Sequence, residues 1–384
     1  MEAYFDNSAT TRVTDSVKDI VVKTMTEDYG NPSSMHMVGV EAEKYIKTAK
    51  ENIAKILKVD EKEIYFTSGG TEGNNLAIVG VVEANKRSGN KIITTEVEHA
   101  SVASPMKYLE KEGYNVVYLP VDRYGVVNIE SLKKEMSEDT LLVSVMHVNN
   151  EVGAIQPVGE IGKYIKTINP KVVYHVDAIQ AFGKMEIRPK KEHIDILTVS
   201  GHKIHGSKGS GFIYIKKNTK INPIISGGGQ QDGIRSGTEN VPGIAGIGQA
   251  AKDCYDNLEQ NVRRMTELKD YLIDRLSEIE GVTINSRKGN EGAPHIVSAS
   301  FRGVRSEVLL HALEDKGIYV SAGSACSSNR PSISRTLKAM NIDKDLLGST
   351  IRFSFSEFNT KEEIDYCMEQ LNQLLPVLRK YVRR

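Results

Sequence analysis

A lysine that could carry a carbonyl compound lies in Ser200-Gly201-His202-Lys203-Ile204-His205-Gly206, directly after the apolar run Ile194–Val199. Partial desolvation and nearby cations lower the pKa of such an amine and free it to attack an aldehyde, forming a Schiff base. A lysine in a polar loop is more often simply solvated, so this reading needs partners. Asp177 ends the run Val172–Val176 in His175-Val176-Asp177-Ala178-Ile179-Gln180. A carboxylate held there can pair with a protonated pyridine nitrogen and make that ring an electron sink. The plain alternative is a helix cap. Phe66-Thr67-Ser68-Gly69-Gly70-Thr71-Glu72 joins a strand to a helix. Its glycines admit close approach, the helix start offers N–H groups to a phosphate, and the Thr71 hydroxyl adds a donor. Gly227-Gly228-Gly229 followed by Arg235-Ser236-Gly237-Thr238 has a similar anion-binding character. His99, in Glu98-His99-Ala100-Ser101, could stack on an aromatic ring and move protons near neutral pH; a structural histidine is the alternative.

A thiol completes the set. In Ser321-Ala322-Gly323-Ser324-Ala325-Cys326-Ser327-Ser328, small residues surround Cys326 and favour a mobile, exposed segment over a packed core. Such a cysteine can enter a site, take up sulfur and swing out again. Cys254 and Cys367 fall in helical stretches and read as small buried hydrophobes.

The elements that must position these groups alternate. Apolar runs at Ile64–Phe66, Ile92–Thr94, Val116–Leu119, Leu141–Met146, Val172–Val176, Ile194–Val199 and Gly211–Ile215 are separated by amphipathic stretches. Those stretches are Glu72–Lys86, Ser101–Glu112, Ile129–Met136 and Gly159–Ile168. Several runs are apolar almost throughout, as strands covered on both faces are. Strand–helix alternation predicts an α/β layer with a mainly parallel central sheet flanked by helices. A helical stretch over Pro242–Ile279, bent or broken on the way, leads to strands at Ile296–Phe301 and Thr350–Ser354. Helices at Arg305–Lys316 and Thr360–Tyr381 accompany them, a smaller α+β C-terminal domain. The expected division is a large domain at 15–258 and a small one made of 1–14 and 259–384 carrying the Cys326 loop.

Composition narrows the classes. With 50 basic and 50 acidic residues there is no net field to attract nucleic acid or an anionic membrane. The apolar stretches fall far short of a bilayer span, and Met1–Asp6 lacks the pattern of a signal peptide. Three cysteines without metal-like spacing point to reduced thiols in the cytoplasm, with neither a disulfide frame nor a metal site expected.

These motifs occur in one chain and one order, and the sequence resembles the cysteine desulfurases, within the class V aminotransferase group of fold-type I pyridoxal-phosphate (PLP) enzymes. The resemblance runs from Tyr4-Phe5-Asp6-Asn7-Ser8-Ala9-Thr10-Thr11 through Gly30-Asn31-Pro32-Ser33-Ser34 and His147-Val148-Asn149-Asn150-Glu151-Val152-Gly153 to Glu362-Glu363-Ile364-Asp365. It implies that Lys203 bonds covalently to PLP, that Asp177 faces the pyridine nitrogen, and that His99 stacks on the ring and transfers protons. Gln180 and Asn150 match positions near the phenolic oxygen; Gly70, Thr71, Ser200 and His202 match the phosphate side. Thr238 matches a residue that reaches the phosphate of the neighbouring subunit, which implies a homodimer. Arg352, with Asn150, looks like the holder of the substrate, a guanidinium gripping both carboxylate oxygens. The implied reaction takes sulfur from L-cysteine, leaving L-alanine and a Cys326 persulfide. That sulfur goes to an acceptor protein such as an iron–sulfur scaffold or a tRNA-thiolation protein. A selenocysteine lyase or other class V enzyme is one rival, and a non-catalytic scaffold that kept the fold is another.

The chain departs from the family pattern in four places. Gln230-Gln231-Asp232-Gly233 replaces a more usual Gln-Glu-Arg-Gly, and His205 and Ser207 replace an aromatic residue and a proline. Phe355-Ser356-Glu357-Phe358 replaces a Leu-Gly-Arg-Phe-like segment, and Cys326 stands slightly nearer Pro331 than in many relatives. The last bears on how far a persulfide reaches, and so on its acceptor.

Overall fold

The computed structural model describes residues 1–322 and 334–381, so Cys326 lies outside the described residues. The strands are β1 (Ala3–Tyr4), β2 (Ile64–Thr67), β3 (Lys91–Thr95), β4 (Asn115–Leu119), β5 (Thr140–Met146), β6 (Val173–Asp177), β7 (Ile196–Ser200) and β8 (Gly211–Ile215). They continue with β9 (Val282–Ile284), β10 (Ile296–Phe301), β11 (Ile318–Tyr319), β12 (Ser321–Ala322) and β13 (Thr350–Ser354). Every residue of β5 to β8 is buried, which is why these segments read as continuous apolar runs.

Seven strands form the main sheet in the order β2-β8-β7-β6-β5-β3-β4. Only β8 is reversed, antiparallel to both β7 and β2. The other six share one carboxyl-terminal edge, where ligands of open α/β sheets bind. The helix expected at Glu72–Lys86 runs from Gly70 to Asn85 and contains a π turn at Leu76–Gly80.

Helices Asp15–Thr26 and Met37–Leu57 pack against helix Val241–Asp256. Ala42, Ile46, Ala49, Ile53 and Leu57, three or four residues apart, form the buried stripe of the second. A β-carbon on Gly248 would stand 2.6 Å from that of Ala49, so the close crossing requires glycine there. The long stretch expected over Pro242–Ile279 is two helices, Val241–Asp256 and Leu258–Ser277, broken at Asn257.

A second, four-stranded antiparallel sheet has the order β12-β13-β10-β9. The chain's start forms a two-stranded parallel sheet, β1 with β11, and meets β13 where Ser354 donates its backbone N–H to the Phe5 carbonyl at 2.7 Å. Phe5 packs edge-on against Phe353 and Phe355, with ring centroids 6.4 and 5.4 Å away. Their cluster is separate from the one under the main sheet. Among the described residues, no helix is long and apolar enough to cross a membrane.

Candidate active site

Asp177 closes β6 and is buried at the shared edge. Its Oδ1 accepts the Ile179 backbone N–H at 3.0 Å and its Oδ2 the Asn74 amide at 2.8 Å. Burial raises its pKa, against the opposing pull of that N–H, His99, Asn74 and Lys203. Among the described residues it forms no ion pair.

His99 is the N-cap of helix Ala100–Lys111, just past the end of β3. The Ser101 backbone N–H donates to Nδ1 at 3.1 Å, so the proton of the neutral ring sits on Nε2. The Ser101 hydroxyl lies 2.8 Å from the same Nδ1. Burial lowers the imidazole pKa, the Asp177 charge raises it, and the Lys203 charge lowers it further. Behind this corner Glu98 is buried, its pKa raised by burial to about 8 despite hydrogen bonds from the Met146 N–H and Thr95.

Lys203 ends the short turn after β7. Its ammonium donates to the carbonyls of Ser8 and Ala9, each at 2.6 Å. Gln180 donates to the same Ser8 carbonyl at 2.9 Å, and its Oε1 lies 3.3 Å from His295 Nε2. The N-terminal segment therefore forms one wall of the site.

On the phosphate side, Gly69 adopts a φ of 146°, which favours glycine. A β-carbon on Gly70 would be 3.6 Å from the Ser200 β-carbon, so these two positions adjoin. Thr71 is exposed beside them. His202 holds Thr10 at 3.2 Å through Nδ1, and burial with the nearby Lys203 and Lys208 charges lowers its pKa to about 4.

Arg352 lies in β13 with both terminal nitrogens engaged. Nη1 donates to the Asn150 carbonyl at 2.8 Å, and Nη2 to Asp6 at 2.8 Å and to the Ser321 hydroxyl at 3.0 Å. Its Nε is buried without a partner among the described residues. Thr238 is exposed and lines a cavity of about 170 Å³ with Thr67, Ser68 and Gly209. The neighbouring Arg235 pairs with Glu72 at 3.0 Å, so its charge is already engaged.

Lys203, Asp177 and His99 thus stand at the ends of β7, β6 and β3 on the shared edge, each within the others' electrostatic reach. The residues fit PLP. A buried carboxylate without an ion pair suits a pyridine N–H, the Lys203 amine suits the aldehyde, and the imidazole offers a face to the ring. The motifs pass over Asn74 and His295, and they quote Asp6 and Ser8 without giving them a role. Asn74 has a signal, lying four residues after Gly70 and so on the same helical face. The others come from distant segments. Among the described residues no group of three or more His, Cys, Asp or Glu could hold a metal.

The family model for class-V aminotransferases matches residues 3–367. A cysteine desulfurase IscS of Dictyoglomus turgidum is 41% identical over 98% of this chain and 95% of its own length. One of Methanosarcina thermophila is 41% identical over 98% and 92%. Among solved structures, a NifS-like protein superposes with a TM-score of 0.93 at 40% identity, covering 98% of this chain and 100% of the other. An apo cysteine desulfurase of Thermococcus onnurineus gives 0.88 at 26% identity, covering 98% and 95%.

Proposed function

Because the chain belongs to the class-V aminotransferase family, we propose a residue-by-residue account of how it works as a cysteine desulfurase. The enzyme is PLP-dependent and takes sulfur from L-cysteine. The observation that carries the account is the meeting of Lys203, Asp177 and His99 at the shared strand edge.

Bound PLP supplies the electron sink that lets the Cα–H and then the Cβ–Sγ bond of the substrate break. Asp177 would hold the ring nitrogen, and His99 would support the ring. Gln180 and Asn150 would serve the phenolic oxygen; Gly70, Thr71, Ser200 and His202 would hold the phosphate. Lys203 would hold the cofactor through its aldehyde carbon, and its amine, once released, would take the Cα proton of the substrate. Arg352, with Asn150, holds the substrate carboxylate, which requires its Nη2 to share or exchange Asp6. The Cys326 thiolate attacks Sγ. As the Cβ–Sγ bond breaks, its electron pair stays with the carbon skeleton, which gathers protons to become alanine. Sγ remains on Cys326 as a persulfide for an acceptor protein, such as an iron–sulfur scaffold or a tRNA-thiolation protein. The other two cysteines are poor candidates, since burial raises each thiol to about 12.

A homodimer is supported by Val22, Met25, Tyr29, Met35 and Met37, exposed apolar residues along one short span of the chain. Sedimentation of the holoenzyme tests it, and a monomer at working concentration would sink it. The cluster around Phe5, Phe301 and Phe353, drawn wholly from 1–14 and 259–384, supports a division into 15–258 and 1–14 with 259–384, although Ala293 and Ile296 pack into the larger cluster. A cytoplasmic location fits the small number of cysteines, of which Cys254 and Cys367 are free.

The deciding experiment measures alanine and sulfide release from L-cysteine with a reductant, comparing wild type with Cys326→Ala. Release lost in the variant while PLP stays bound is the expected result. No release from the PLP-loaded wild type would overturn the account.

A further inference from the structure

We infer that Asn74 is a positioning residue that sets Asp177 and His99 together from one amide. The inference rests on the roles proposed for those two residues.

Asn74 is fully buried, and its Nδ2 has two partners. It donates to Asp177 Oδ2 at 2.8 Å and to the Ser101 hydroxyl at 2.9 Å. The hydroxyl, occupied as an acceptor, turns its own proton to His99 Nδ1 at 2.8 Å. A single NH₂ group thus stabilises the carboxylate and completes the donor pair that keeps Nδ1 of His99 unprotonated. The amide oxygen of Asn74 is buried and has no partner among the described residues. Buried amides normally satisfy both ends, so what this side chain contributes is its donors.

The backbone is built to bring Asn74 there. A β-carbon on Gly73 would lie 2.5 Å from the Thr198 γ-methyl, and Thr198 is paired in register with Asp177. Only glycine lets the helix approach the strand so closely, directly before Asn74. The π turn begins two residues later, at Leu76. Such turns concentrate where a helix must aim a side chain at a functional site.

The test uses holoenzyme loaded with PLP labelled with ¹⁵N in its ring. It reads the ring-nitrogen resonance beside kcat and KM for L-cysteine. With fewer donors on Asp177 the carboxylate is the stronger base, and the shared proton moves from the ring nitrogen toward it. In Asn74→Ala the resonance should move toward that of neutral pyridine. kcat should fall about tenfold to a hundredfold, the equivalent of one hydrogen bond to a charged group, with KM little changed. Asn74→Ser, which keeps one donor, should fall between Ala and wild type. An unchanged resonance in both variants, or an Asn74→Ser that cannot bind PLP while Asp177→Asn can, overturns the inference. Asp177→Asn separates the two levels: if it too leaves the resonance unmoved, the role of Asp177 has failed instead.

Discussion

His205 Nε2 lies 3.2 Å from a carboxylate oxygen of Glu357, joining the lysine-bearing turn to the segment after β13. The other ring nitrogen of His205 faces the Arg12 carbonyl at 2.8 Å, and Phe358 packs edge-on against the ring at 5.2 Å. His205 and Glu357 both depart from the family pattern, at positions 152 residues apart. In the fold the two departures meet in one hydrogen-bonded histidine–carboxylate contact.

That pair makes stability pH-dependent. Burial alone would raise the Glu357 pKa, but the His205 hydrogen bond and the Lys184 charge outweigh it and bring it down to about 2. A carboxylate depressed below its ordinary 4.5 stabilises the fold above that pH and loses the contribution as pH falls toward 2. Glu357→Gln should cost about 1–3 kcal/mol near neutrality and flatten the acid limb. Melting temperatures between pH 3 and 7 check this, and parallel profiles for both proteins would refute it.

Lys203 should be the covalent attachment point of PLP. Borohydride reduction of the wild type should leave the reduced cofactor on the peptide containing Lys203, seen by mass spectrometry. Lys203→Ala should show no adduct and lose about 10²–10⁴-fold in turnover. An adduct on another lysine would reassign the site.

The cysteines should separate by reactivity. Cys254 and Cys367 are buried and hold their protons, with thiols raised to about 12, and only the thiolate reacts. Brief alkylation of the native enzyme should label Cys326 first and abolish sulfide release in step. Peptide mapping that found Cys254 or Cys367 labelled earlier would contradict this.

His99 should set an acid limit on turnover. Burial holds its pKa below the ordinary 6.5, so the neutral, proton-accepting ring persists into mild acid. kcat should fall only below pH 6.5, as the ring becomes protonated, and His99→Gln should remove that limb. A kcat profile whose acid limb survives in the variant would move the limit to another group.

Much of this was readable in one dimension because the cues are local. Continuous apolar runs such as Leu141–Met146 marked the buried strands, and chemical residues directly after them marked the working edge. Parallel strands put their carboxyl ends together, so Asp177, His99 and Lys203 had to converge once the runs were recognised as one sheet. A bend or break in this stretch was legible but not its place at Asn257, because a single residue's backbone angles leave little trace in periodicity.

Long-range contacts decided the rest. Nothing near Lys203 in sequence says that its ammonium meets the carbonyls of Ser8 and Ala9. Nor does Arg352 announce its bonds to Asp6, Ser321 and Asn150. Asn74 falls just past a motif chosen for its glycines, yet it reaches Asp177 because Gly73 lets its helix press onto β7. Residue type and spacing determined which chemistry is available. Which groups share a proton or a partner depends on segments far apart in the chain, and only tertiary packing brings those together.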